Sequence, residues 1–149
     1  MRGTLVCAIT GSDESADALE LGAELSTRLG LRLVVVYAID GIAASGSRDG
    51  MESVSMKGDR QGAERRLARL VQDHGVDSAE RRVAVGEPAA LLGQIAAEEA
   101  ADLIVVGSRA RSRLSRRLES RLARQLEAET PIPVLIAPPR TWRANEFPP

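Results

Sequence analysis

Asp102-Leu103-Ile104-Val105-Val106-Gly107 is the most strand-like stretch of the chain. Four consecutive aliphatic residues suit a strand covered on both faces, as in a parallel sheet flanked by helices, and the closing glycine marks a strand-to-helix corner. Upstream, Gly86-Glu87-Pro88 opens a helix with proline where its missing N–H costs least, and Leu91, Leu92, Ile95 and Ala96 give that helix its buried stripe. Downstream, a helix is expected over 115–129, with Leu118, Leu122 and Leu126 on its inner face. Thr130-Pro131-Ile132-Pro133 stops it, and Val134-Leu135-Ile136-Ala137 forms a last strand before Pro138-Pro139 ends regular structure.

The same alternation extends to the N-terminus. Thr4 to Ile9 is a short apolar run, followed by a turn at Thr10-Gly11-Ser12 where Ser12 or Asp13 can cap the next helix. Ala18, Leu21, Leu25 and Leu29 predict its inner face, and Gly30 its left-handed C-cap. Leu31 to Ala38 reads as a central strand. Residues 41–58 carry four glycines and no sustained period, so they read as a surface excursion that either connects or covers a ligand. A second long helix is expected over 59–74, with Ala63, Leu67, Leu70 and Val71 inward and Gly75 ending it. Arg82 to Val85 is a weaker strand. Five strands alternating with four helices predict one α/β domain over 1–139: a five-stranded, parallel, doubly wound sheet, followed by a tail at 140–149. In such sheets ligands sit beyond the carboxyl ends of the strands, where strand order reverses.

Composition narrows the function. The 149 residues carry 20 Lys and Arg against 21 Asp and Glu, so no global field draws the chain to nucleic acid or anionic membrane. No apolar run approaches the roughly 20 residues of a membrane span, and no signal-peptide pattern opens the chain, so a cytoplasmic location is expected. Cys7, the single cysteine, lies in an apolar run and reads as a buried thiol. His74, the single histidine, lies in a helix tail, where it meets the negative end of the dipole. Neither a Ser-His-Asp nor a Cys-His arrangement assembles at the strand ends, no metal-ligand cluster is present, and no Gly-Lys-Ser/Thr loop follows a strand. A binding module is expected, not an enzyme.

One segment departs from neutrality. Seven arginines stand between 109 and 124 (Arg109, Arg111, Arg113, Arg116, Arg117, Arg121 and Arg124) against one acid, Glu119, a local charge of +6. Two readings stay open: a solvated surface paired with acids elsewhere, or a site for an anionic small ligand. No aromatic platform is interleaved for base stacking, which argues against nucleic acid.

The strand with Thr10-Gly11-Ser12-Asp13-Glu14-Ser15, the Gly86-Glu87-Pro88 turn, the 102–109 segment and the closing Pro133-Val134-Leu135-Ile136, in that order and spacing, resemble the universal stress protein family over residues 4–137. The resemblance implies a Rossmann-like fold of the adenine-nucleotide α-hydrolase type, and a homodimer formed by antiparallel pairing of Val134, Leu135, Ile136 and Ala137 with a second copy. Nucleotide-binding members carry glycine, two residues, glycine, nine residues, then glycine followed by serine or threonine. Such glycines let backbone N–H groups approach phosphate. Here Gly107 holds the first position, but Ala110 holds the second, Ser120 the third, and Arg121 stands where the small hydroxyl residue belongs. Thr10 replaces the aspartate that holds the nucleoside. Ala38 falls where backbone groups contact adenine. By resemblance the site would comprise Thr10, Gly11, Ala38, Val106, Gly107, Ser108, Arg109, Ala110, Ser120, Arg121 and Leu122. With three of its four loop positions and its aspartate changed, tight binding or hydrolysis of ATP is not expected, and retention of ATP or another adenine nucleotide by an arginine-modified loop is the alternative.

Overall fold

The computed structural model describes residues 3–10, 15–40, 52–76, 78–107 and 122–137, with backbone alone described at 10, 15, 40 and 52–59. Along the chain run β1 (Thr4–Thr10), α1 (Ser15–Leu29), β2 (Arg32–Asp40), α2 (Glu52–Asp73), β3 (Glu80–Gly86), α3 (Pro88–Glu98) and β4 (Leu103–Gly107). They are followed by α4, helical over 122–129, and β5 (Val134–Ala137). The strands form one sheet in the order β3-β2-β1-β4-β5, and every neighbouring pair is parallel.

Alternation along the strands builds a core on each face. Leu5, Cys7, Ile9, Leu33, Val35 and Tyr37 pack under α1 and α2. Val6, Ala8, Val34, Val36, Ile104 and Val106 pack under α3 and α4 with Leu92, Ile95 and Leu126. Leu92, Ile104 and Leu126 are fully buried, each contributing about 2–3 kcal/mol of apolar transfer energy. The continuous apolar strands are therefore covered on both sides, as their composition requires.

The helices differ from the expected ones in two places. On α1, Leu19 is fully buried and Leu29 is 62% exposed. Gly22 sets this rotation: a Cβ there would lie 3.3 Å from the Cys7 Cβ, so the helix sits close on β1 along Ala18, Leu19 and Gly22. The second difference is that α2 begins at Glu52, inside the stretch expected to be irregular. Its inner face is as predicted, with Ala63, Leu67 and Val71 buried and Leu70 partly so. The tail 140–149 lies outside the described residues.

Helix ends follow left-handed caps. Gly30 and Gly75 adopt φ of +66° and +68°, where glycine carries no side-chain penalty. At the equivalent place after α3 stands Ala100, with φ of +51°, while the Ala101 N–H donates to the Ala96 carbonyl at 2.8 Å. Ala100→Gly removes the left-handed penalty and adds some unfolded-state entropy, a net gain of about 0.5–1 kcal/mol. Calorimetry is expected to show a rise in Tm of about 2 °C.

At the amino ends of the strands, charge holds the elements together. Arg32 pairs with Glu80 at 2.6 Å and Glu99 at 2.8 Å, and Arg82 reaches Glu98 at 3.0 Å and Glu99 at 3.3 Å. Donation of hydrogen bonds to the Glu99 and Glu80 carboxylates raises the Arg32 guanidinium above its ordinary pKa. Asp102, expected to belong to β4, lies just before it and accepts from the Thr4 N–H at 2.9 Å. It ties the start of β1 to the start of β4.

Candidate functional site

Strand order reverses between β1 and β4: β2 and β3 lie to one side of β1, β4 and β5 to the other. Their ladder runs only through Leu5↔Leu103, Val6↔Ile104 and Cys7↔Val105, although β1 continues to Thr10 and β4 to Gly107. On the far sides pairing goes to the ends, with Thr10↔Ala38 and Gly107↔Ala137. The strands thus stop pairing only at the switch point, which is where a doubly wound sheet opens its ligand crevice.

Three strand ends bring Thr10, Ala38, Val106 and Gly107 to this end of the sheet. Ala38 is 3% exposed and Val106 1%, so the floor is apolar and closed. Gly11, Ser108, Arg109, Ala110, Ser120 and Arg121 lie outside the described residues, as does most of the arginine cluster. Leu122 is partly buried against the core under α3 and α4, and Arg124 is exposed on α4.

Two other helix N-termini face the same end. The α3 terminus is closed: the Glu87 carboxylate accepts from the Ala89 N–H at 3.2 Å and the Ala90 N–H at 2.8 Å. The sequence carries the signal for this cap, an acid directly before the proline at the first helical position. Asp17 occupies the first turn of α1. Both acids place negative charge where the helix dipole is positive, so neither terminus is an attractive seat for phosphate. The basic segment follows β4 instead.

Of the two nucleophile or base candidates, neither reaches the crevice. Cys7 is fully buried, and burial pushes its thiol up to about 12. At pH 8 the folded protein therefore holds this sulfur as the thiol. Ellman's reagent is therefore expected to label Cys7 only in denaturant, and folding to become less favourable above pH 9, where the unfolded chain ionises and the folded one does not. A thiol titrated within minutes in buffer would contradict the burial. His74 follows α2, with its N–H on the Leu70 carbonyl at 3.1 Å, at the amino ends of the strands. Among the described residues no cluster of three or more His, Cys, Asp or Glu could hold a metal, and no helix is long and apolar enough to cross a membrane.

A cleft of about 540 Å³, lined in part by Ser26, Thr27, Gly30, Gly75 and Ser78, opens at the amino ends of β2 and β3. It is at the other end of the sheet from the switch point. At the dimer strand expected from sequence, Leu135 and Ile136 are 39% and 46% exposed, Val134 is partly buried, and Ala137 is fully buried beside Gly107.

Comparison with known proteins agrees with this geometry. A structure of a universal stress family protein from Burkholderia pseudomallei is 26% identical, covers 91% of this chain and 96% of its own, and superposes with a TM-score of 0.69. A universal stress protein in complex with cAMP is 24% identical, with coverage of 91% and 95% and a TM-score of 0.64. One from Archaeoglobus fulgidus in complex with dAMP is 22% identical, with coverage of 91% and 98% and a TM-score of 0.57. No curated protein matches the chain. The model of the Universal stress protein family matches residues 1–138, and the chain belongs to that family.

Proposed function

We propose that this protein is a cytoplasmic, homodimeric binding and regulatory module of a stress response that neither holds ATP tightly nor hydrolyses it. The observation that carries the reading is the switch-point corner itself. The backbone crevice between β1 and β4 is kept, while the side chains that would grip a nucleotide there are changed at Thr10, Ala110, Ser120 and Arg121. A methyl at residue 110 costs about 1 kcal/mol or more if the loop needs positive φ. A threonine at residue 10 offers a ribose or base one hydroxyl in place of a carboxylate. Neither a histidine nor a reactive thiol stands at the strand ends among the described residues to serve hydrolysis as base or nucleophile.

The two sheet edges support the dimer. At one edge β5 exposes Leu135 and Ile136; at the other, β3 carries Glu80, Arg81 and Arg82. An apolar edge pairs with a copy of itself where a charged edge resists it.

A second reading rests on the adenine mononucleotides in two relatives and on the +6 segment after β4: Arg121 forks onto phosphate and the module senses an adenine nucleotide. Calorimetry of the purified full chain with ATP, AMP and cAMP separates the two, after mass spectrometry of whatever nucleotide copurifies. The expected result is no copurifying ATP and an ATP Kd weaker than about 100 μM. ATP binding at micromolar or tighter affinity overturns the first reading, and micromolar AMP or cAMP with weak ATP establishes the second.

A further inference from the structure

The opposite edge of the sheet is formed by β3. As the outermost strand next to β2, β3 has one row of N–H and C=O groups turned away from the sheet. The Val83 carbonyl belongs to that row, since it accepts at 3.4 Å from Arg60 Nη2 on α2. Backbone groups alternate along a strand, so Arg81 and Val85 present theirs in the same direction. Above this row, α2 and β3 leave a cleft of about 260 Å³ lined by Glu64, Leu67, Arg81 and Val83. Leu67 is 1% exposed and forms an apolar floor. The cleft has room for one aliphatic side chain.

Charge indicates what would lie there. Arg60 and Arg81 flank the cleft, with Glu64 the one acid lining it, and the Arg60–Glu64 contact is long at 3.9 Å between half-exposed side chains. Arg81 is exposed and has no ion-pair or hydrogen-bond partner among the described residues. Arg82, by contrast, is turned to the other face and spoken for by Glu98 and Glu99. Among the described residues the edge therefore offers an outward donor and acceptor row, held only at the Val83 carbonyl by Arg60, with an apolar socket and a net positive rim on a single face.

We infer that the β3 edge takes up an extended acidic peptide segment of a partner protein as a sixth strand, with an aliphatic side chain in the Leu67–Val83 cleft and acids on Arg60 and Arg81. The 3.4 Å bond from Arg60 holds the edge when it is empty and releases when the strand adds. The rim charge repels a second copy of the same edge and attracts an acidic one.

The test uses the full chain and an acetylated, amidated heptapeptide, Thr-Glu-Thr-Val-Thr-Glu-Thr, whose acids and valine share one face. At saturating peptide, amide exchange measured by NMR is expected to slow about tenfold or more at Arg81, Val83 and Val85, and to stay unchanged at Val134–Ala137. Val83→Pro removes an outward N–H that the sheet does not use and is expected to abolish the protection while circular dichroism stays native. Should that variant unfold, Arg60→Glu with Arg81→Glu leaves the backbone intact and is expected to weaken the peptide at least about tenfold and to favour its lysine counterpart. Protection at β5 instead of β3, no protection at either edge, undiminished binding by a folded variant, or a uridine oligonucleotide that perturbs these residues where the peptide does not, overturns the inference.

Discussion

Combining Thr10→Asp, Ala110→Gly, Ser120→Gly and Arg121→Ser is expected to tighten ATP binding by about 100-fold, close to 2.7 kcal/mol. The magnitude follows from what each change returns. A carboxylate at the end of β1 gains a charge-assisted bond to the nucleoside, worth about 1.5–3 kcal/mol net. Glycine at 110 frees the loop to take positive φ, and glycine with serine at 120 and 121 restores small groups beside the phosphates. These contributions overlap because the same phosphate must meet all of them, so the total falls below their sum. Single variants carry the mechanism. Arg121→Ser alone strengthens ATP if the arginine fills the phosphate space and weakens it if the guanidinium forks onto phosphate. Calorimetry on the quadruple variant that shows no gain would mean the corner has lost more than these four side chains.

The corner was legible in part for a physical reason. A strand buried on both faces must be apolar throughout, so Leu103 to Val106 announced itself, and Gly107 marked the turn. That β1 and β4 unpair after Cys7↔Val105 is a matter of register between segments about a hundred residues apart, and no local pattern encodes it. The same limit hid the Arg32 network, whose partners Glu80 and Glu99 are 48 and 67 residues away. Helix faces failed where a small residue, and not a large one, set the contact: Gly22 lets α1 sit on Cys7, turning Leu19 inward and Leu29 out. The start of α2 at Glu52 was missed because Ser53, Ser55 and Gly58 show no apolar period, which leaves tertiary context to decide the first turns.

On the proposed β5 homodimer, Leu135→Lys is expected to leave a monomer of 15.9 kDa by light scattering at tens of micromolar. The argument begins with the strand. Among the described residues Val134–Ala137 has one strand neighbour, β4, and its other side turns backbone groups away from the sheet. Leu135 and Ile136 are consecutive, hence on opposite faces, and both are substantially exposed. A two-fold axis through this strand would cover both apolar side chains and complete a continuous sheet across two copies. It would also make every substitution count twice. Two lysines near the axis repel each other, and two leucines lose their burial, together about 3 kcal/mol or more against the dimer. That corresponds to a dissociation constant raised by at least about 100-fold. Val83→Lys on the β3 edge is the control, since it places the same charge on the edge outside the proposed interface. A Leu135→Lys protein that keeps its dimer mass, or a β3 variant that loses it, moves the interface off β5.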